Sequence, residues 1–229
     1  MNLSQIKSSP ILVRVDPFAI FLALTFGQNY FGETGRYWFY LAKTVVGAWL
    51  IWLVRPLIPE MRWRVTWEAA VVGLVVFVMW IGLANFLSWL HINPAFSEFK
   101  SSPKIWNPFP AFPEYPALAS FFVVVRIAGA TLIVPPLEEV FFRSFLYRYL
   151  NKPDFQRVPL GQFIPMPFLV TSVLFGFEHR EWLAGILCGF AYQGLVCWKK
   201  RLGDAITAHA LTNLLLGLWV VWKGAWRFW

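Results

Sequence analysis

The chain has 229 residues, of which 58% are hydrophobic, 19% aromatic and only 14% charged. Ordinary soluble domains carry about a quarter charged residues, so this composition indicates a membrane protein with several spans. The net charge of +8 does not indicate nucleic acid, because the basic residues lie between apolar runs, where such charges orient helices in a bilayer. We therefore predict a multi-pass protein of a cell membrane. The lipid bilayer is an expected partner, and nucleic acid is not.

Apolar segments that could cross a membrane recur along the chain. Seven are predicted, over residues 17–26, 37–54, 69–90, 117–134, 163–177, 182–198 and 205–221. Together with the helix after residue 136, they predict an all-α polytopic fold with about seven or eight transmembrane helices.

Residues 91–116 interrupt this pattern with repeated prolines, including Pro108 and Pro110. Proline removes backbone donors and restricts the residue before it, so an extended loop is expected here. It divides the chain into N-terminal helices and loop (1–116), a C-terminal core (117–221) and a short tail (222–229).

Two adjacent acids, Glu138 and Glu139, follow Pro135-Pro136 in one of the most apolar stretches. The prolines are expected to stop or kink the fourth span and to begin a helix over residues 137–150. Because a charged carboxylate in hydrocarbon costs several kcal/mol, such acids predict a functional site. Glu139 and Arg143 are spaced i,i+4 and should form an ion pair. Glu138 is rotated by about 100° from Glu139 around the helix, so the arginine leaves it free for chemistry. The alternative is that both acids only bond neighbouring helices.

Two further segments carry polar side chains in apolar surroundings. His179 ends the fifth span, and His209 and Asn213 share one helix face at i,i+4. Taken singly, each is equally typical of a side chain that bridges membrane helices. Hydropathy places His179 at the opposite end of its span from Glu138 and His209, so a shared site requires a tilted or re-entrant segment.

Other charged residues have a structural interpretation. Arg126, near the middle of the fourth span, is expected to pair with an internal acid, with contact to a substrate carboxylate as the alternative. Glu178 and Glu181 flank His179 and are expected to lie with Arg180 in a solvated turn, with pairing to His179 as the alternative.

The patterns EExxxR, FxxxH and HxxxN occur in this order on three apolar segments. This combination resembles the CPBP family of intramembrane proteases, also called the CAAX-protease or Abi family. The resemblance covers residues 117–221, implies a catalytic core there, and implies hydrolysis of a peptide bond in a membrane-associated substrate.

By this resemblance, Glu138 and His179 would activate a water molecule, and His209 and Asn213 would hold the developing oxyanion. The second acid and the arginine of EExxxR would hold the helix and orient the first acid. General-base catalysis of this kind typically contributes about 10²–10⁴-fold.

The resemblance favours a glutamate protease without a cofactor. A zinc ion held by the acid and the two histidines is the rival mechanism, although no HExxH motif is present. A non-catalytic binding or bacteriocin-immunity protein on the same scaffold is the alternative function, and a proton or ion carrier is a third. The short chain and compact loops favour a bacterial inner membrane. The oligomeric state and the substrate are not predicted.

Overall fold

A computed structural model of the chain describes residues 9–90 and 105–229. Within these residues the chain forms helices and no strands, which confirms the all-α prediction. The longer helices are α1 (Leu12–Gly27), α2 (Gly32–Val54), α3 (Trp67–Trp89), α4 (Pro116–Asn151), α5 (Pro165–Phe177), α6 (Trp182–Lys199) and α7 (Leu202–Lys223).

Four of these helices, α2, α3, α4 and α7, are long and apolar enough to cross a membrane. The chain is therefore a multi-pass membrane protein. Helices α1, α5 and α6 were also predicted as spans, but they have only 16, 13 and 18 residues. Since a straight crossing takes about 20 residues, a total of seven or eight crossings stays a prediction.

The helix ends follow local chemistry. Thr66 caps α3 by accepting a hydrogen bond from the backbone N–H of Ala69 at 3.3 Å. Pro116 and Pro165 begin α4 and α5, where the missing N–H has no helical partner to lose. Gly224 ends α7 in the left-handed conformation with φ of 62°, which glycine adopts without a steric penalty.

Helix α4 continues through Pro135 and Pro136, so the predicted stop is wrong. A π-helical segment, Gly129–Ile133, directly precedes these prolines, and the N–H of Val134 bonds to the carbonyl of Gly129. The wider turn keeps the proline rings away from the carbonyls that they would otherwise meet. A second π-helical segment, Val140–Leu146, follows the acidic pair. The pair therefore lies within a continuous helix rather than in its first turn.

The C-terminal helices pack closely at small residues. A Cβ at Gly73 of α3 would lie 2.7 Å from the carbonyl oxygen of Ala208 in α7, and one at Gly189 of α6 would lie 2.8 Å from the Cα of Ser172 in α5. Such residues let membrane helices approach at backbone distance. α1 and α2 pack against α4. The three-part division of the chain stays a prediction.

The predicted proline-rich loop is only partly described. Residues 91–104 lie outside the described residues, and residues 105–115 contain the short 3₁₀ turn Phe109–Ala111. In this part, Trp106 is buried and packs edge-on against Tyr37 of α2, with the ring centroids 4.8 Å apart.

A buried polar cluster joins α1 to α4 through the segment between α2 and α3. Glu60 accepts hydrogen bonds from Arg14 (2.7 Å), Ser144 (2.5 Å) and Arg148 (3.1 Å). Burial opposes ionisation of Glu60, but the hydrogen bond from Ser144 and the charge of Arg14 outweigh it, so the pKa of this carboxyl lies below its ordinary value. An ionised Glu60 thus holds the N-terminal helix against α4.

Candidate active site

A cavity of about 460 Å³ lies inside the helical bundle. All four residues predicted to carry the chemistry line it, namely Glu138, His179, His209 and Asn213. The separation of His179 expected from hydropathy does not occur. α5 has 13 residues and is about 20 Å long, which is shorter than a straight membrane crossing, and the residues that follow it line the cavity.

His209 lies between the two adjacent acids of α4. Its Nδ1 is 2.9 Å from Oε1 of Glu139, and its Nε2 is 3.9 Å from Oε2 of Glu138. The Nδ1–H donates to the Glu139 carboxylate, because an ionised carboxylate can only accept. This bond turns Nε2 toward Glu138. The contact between Glu139 and His209 was not predicted from the sequence.

The predicted ion pair between Glu139 and Arg143 is present, with Nε 3.1 Å from Oε2. Glu139 is fully buried and Arg143 is 2% exposed. The guanidinium lies over the ring of Phe175, 4.1 Å from its centroid. One carboxylate thus contacts both a cation on its own helix and the histidine of α7.

Tyr192 of α6 is a site residue that sequence analysis missed. Its ring stacks on His209 with centroids 5.1 Å apart and an interplanar angle of 18°. Its hydroxyl donates to Oγ1 of Thr212 at 2.9 Å. The only sequence signal was a tyrosine in an apolar helix, which is common in membrane proteins. The stacking restricts the imidazole to one plane and excludes water from that face.

His179 has a defined ring orientation. Its Nδ1 lies 2.9 Å from the carbonyl oxygen of Phe175, one turn earlier in α5. A carbonyl can only accept, so the neutral ring carries its proton on Nδ1 and Nε2 is the basic nitrogen. The ring packs edge-on against Trp80 at 5.4 Å. This arrangement suits a general base.

Asn213 is held by the π-helical segment of α4. Its Nδ2 donates to the carbonyl oxygen of Ala130 at 2.8 Å. This carbonyl lies within Gly129–Ile133, where the widened turn changes the backbone pairing. An amide carries two N–H donors, so the bond positions the side chain and uses only one of them.

Glu178 lies in the turn that follows α5 and is half-buried, so the predicted turn is present but its carboxyl is not solvated. It lines the cavity, and its Oε2 is buried without a hydrogen-bond partner among the described residues. Burial raises the pKa of this carboxyl to about 8, although the charge of Arg143 acts in the opposite direction. At neutral pH, Glu178 therefore carries a proton for most of the time. The neighbouring Arg180 is exposed, as predicted.

A metal ion in the cavity would need several His, Cys, Asp or Glu side chains grouped around one point. Within residues 9–90 and 105–229, no group of three or more His, Cys, Asp or Glu side chains is arranged to hold a metal ion. In His209, Nδ1 is already engaged by Glu139, so only Nε2 could serve as a ligand.

The comparisons with known proteins bear on the second half of the chain. No curated protein and no solved structure shows significant similarity to the chain. One family model, described as type II CAAX prenyl endopeptidase Rce1-like, matches residues 119–215. The matched segment runs from α4 to α7 and contains all three motifs. Residues 119–215 are therefore similar to the type II CAAX prenyl endopeptidase Rce1-like family, which confirms the resemblance that the motifs predict.

Proposed function

We propose that the protein is an intramembrane endopeptidase that hydrolyses a peptide bond of a membrane-associated protein or peptide. The observation that carries this proposal is the shared cavity of Glu138, His179, His209 and Asn213. Intramembrane ionisable residues are costly and mark functional sites, and here they converge from three helices. The family match over residues 119–215 supports the same reaction class.

In the proposed reaction, a water molecule between Glu138 and His179 attacks the carbonyl carbon of the scissile bond. One of these two groups takes the proton as the O–C bond forms. When the C–N bond breaks, the same proton passes to the leaving amine, so the site returns to its starting protonation state. A positioned general base typically contributes about 10²–10⁴-fold.

The negative charge of the tetrahedral intermediate would be held by His209 and Asn213. With Nδ1–H of His209 held by the Glu139 carboxylate at 2.9 Å, Nε2 would donate to the oxyanion from an imidazolium ring. Asn213 would use its second N–H. Removing one oxyanion donor typically costs about 10²–10³-fold in turnover.

The test is cleavage of a panel of lipidated and transmembrane peptides by purified protein in detergent. The wild type is compared with Glu138→Gln, and Glu68→Gln serves as the matched control. Glu68 lies in the first turn of α3, about 18 Å along the helix from the cavity residue Trp80. It pairs with Lys199 and does not line the cavity. We expect loss of cleavage in Glu138→Gln alone.

Each protein is also assayed with a strong chelator. Unchanged cleavage supports the metal-free mechanism, whereas loss of cleavage would favour the zinc mechanism. Wild-type turnover by Glu138→Gln would refute the assignment of this residue. Peptide binding without cleavage throughout the panel would favour the alternative of a non-catalytic binding protein.

A further inference from the structure

A surplus of positive charge lies where the segment before α3 meets the turn between α6 and α7. Arg62, Arg64 and Lys200 are exposed there, and none of them forms an ion pair with another described residue. The acids that flank this region along the chain are each paired with other cations, in the contacts Glu60–Arg14, Glu60–Arg148, Glu68–Lys199 and Asp204–Arg201. Three positive charges are therefore left without a counter-ion from the described part of the protein.

Hydrogen bonds hold the segment before α3 against the start of α7. The N–H of Arg64 donates to the carbonyl oxygen of Gly203 at 3.3 Å, and Oγ1 of Thr66 donates to Oδ1 of Asp204 at 2.7 Å. A Cβ at Gly203 would lie 2.9 Å from the backbone nitrogen of Arg64, so the two segments meet at backbone distance. Nζ of Lys200 donates to a loop carbonyl, which fixes the ammonium without neutralising it. The backbone of Arg64 and the ammonium of Lys200 are thus both held close to this junction.

Exposed apolar side chains alternate with the arginines on the same segment. Trp63 is 40% exposed, Val65 85% and Trp67 71%. The backbone is extended at Arg62, with φ of −72° and ψ of 122°. Successive side chains of an extended backbone point to opposite sides, so the segment has a basic side and an apolar side. Tryptophan is enriched where a membrane meets water, and this pattern therefore fits the depth of the lipid headgroups.

We propose that Arg62, Arg64 and Lys200 form a binding site for the headgroup of an anionic phospholipid, whose acyl chains contact the exposed tryptophans of the same segment. A guanidinium donates two parallel hydrogen bonds to a phosphate. The N-termini of α3 and α7 adjoin the cluster, and the positive end of a helix dipole favours an anion. The cations come from both sides of the junction, so a bound headgroup joins α3 to the helix that carries His209. The site binds lipid whether or not the protein is a peptidase.

The test titrates the full chain, in micelles of an uncharged detergent, with phosphatidylglycerol and follows its Tm. Phosphatidylcholine with the same acyl chains is the neutral reference. A ligand that binds only the folded protein raises the Tm as its concentration rises, so each titration gives an apparent Kd. We expect phosphatidylglycerol to bind more tightly than phosphatidylcholine. The difference should shrink between about 50 and about 500 mM NaCl, because salt screens exposed charges.

The double variant Arg62→Gln/Arg64→Gln should bind phosphatidylglycerol about 25-fold more weakly, because each basic residue at a membrane surface contributes about fivefold. Its response to phosphatidylcholine should be unchanged, which shows that the variant is folded. Lys223→Gln/Arg227→Gln is the matched control. It removes the same charge from two exposed residues at the far end of α7, about 30 Å from Gly203. This control should keep the preference for phosphatidylglycerol.

Equal binding of the two lipids by the wild type overturns the site. An equal loss of phosphatidylglycerol binding in the double variant and in the control also overturns it, because only the net charge of the protein would then matter. A further arm adds inorganic phosphate in place of lipid. If phosphate raises the Tm as much as phosphatidylglycerol does at the same concentration, the three cations belong to a free phosphate site and the lipid proposal fails.

Discussion

Replacing Glu139 by Gln should damage both stability and activity, by two separable routes. The carboxylate is fully buried and contacts Arg143, itself 2% exposed, at 3.1 Å. Gln keeps the shape but removes the charge, so the guanidinium stays buried without its counter-ion. Removing one partner of a buried pair typically costs about 3–5 kcal/mol. The same change replaces the carboxylate that accepts from Nδ1 of His209 and orients its ring by a neutral amide, which should reduce cleavage by about 10²-fold or more.

The double variant Glu139→Gln/Arg143→Met separates the two effects. It removes both members of the buried ion pair, so the free energy of unfolding should return most of the way to the wild-type value. Cleavage should stay low, because His209 still lacks its carboxylate. Stability is measured by reversible denaturant titration in mixed micelles, and cleavage on the peptide panel. Recovery of wild-type cleavage by the double variant would refute the positioning role and leave Glu139 only as the counter-ion of Arg143.

Three further outcomes are expected. Glu60→Gln should lower the free energy of unfolding by roughly 3 kcal/mol, because two buried arginines lose their carboxylate. The control Asp154→Asn, in an exposed ion pair, should change the free energy of unfolding by less than about 1 kcal/mol. The pKa of Glu178 is about 8 in the folded protein and about 4.3 in the unfolded chain. The contribution of this carboxyl to stability is therefore complete below about pH 4.3 and is lost as the pH rises through 8. Unfolding titrations from pH 4 to 9 should show a smaller loss of stability in Glu178→Gln than in the wild type. Asn213→Ala should reduce kcat by about 10²–10³-fold with little change in KM, since an oxyanion donor acts mainly in the transition state; an effect on KM alone in steady-state assays would contradict that role.

The apolar runs and the three motifs predicted much of this molecule. Helices α2, α3, α4 and α7 correspond to predicted segments because hydrocarbon imposes a helical backbone on any long apolar run. The pairing of Glu139 with Arg143 followed from helical spacing alone. The family resemblance was carried by residue types and their order, which do not depend on where each helix ends.

The contacts that crossed between helices could not be predicted in the same way. The stacking of Tyr192 on His209 depends on the rotation of α6 about its axis, which an apolar helix with few polar residues does not specify. Arg126 was expected to pair with an internal acid because an unpaired charge inside a membrane is costly. In the structure, aromatic rings from three separate segments surround its guanidinium. Glu178 was placed in solvent because its sequence neighbours are charged, although the short α5 ends at the cavity.

The two π-helical segments of α4 set the rotational phase of the acidic pair. Each π turn accommodates one more residue than an α turn, so it offsets the helix before it from the helix after it by about 100°. Gly129–Ile133 and Val140–Leu146 therefore set the angle at which the central turn with Glu138 and Glu139 faces His209, relative to the parts of α4 on either side. Deleting a single residue from either segment would restore a regular α-helix there. The acidic pair would then be rotated by about 100° relative to the part of α4 beyond that segment. The length of α4 is thus constrained to the residue.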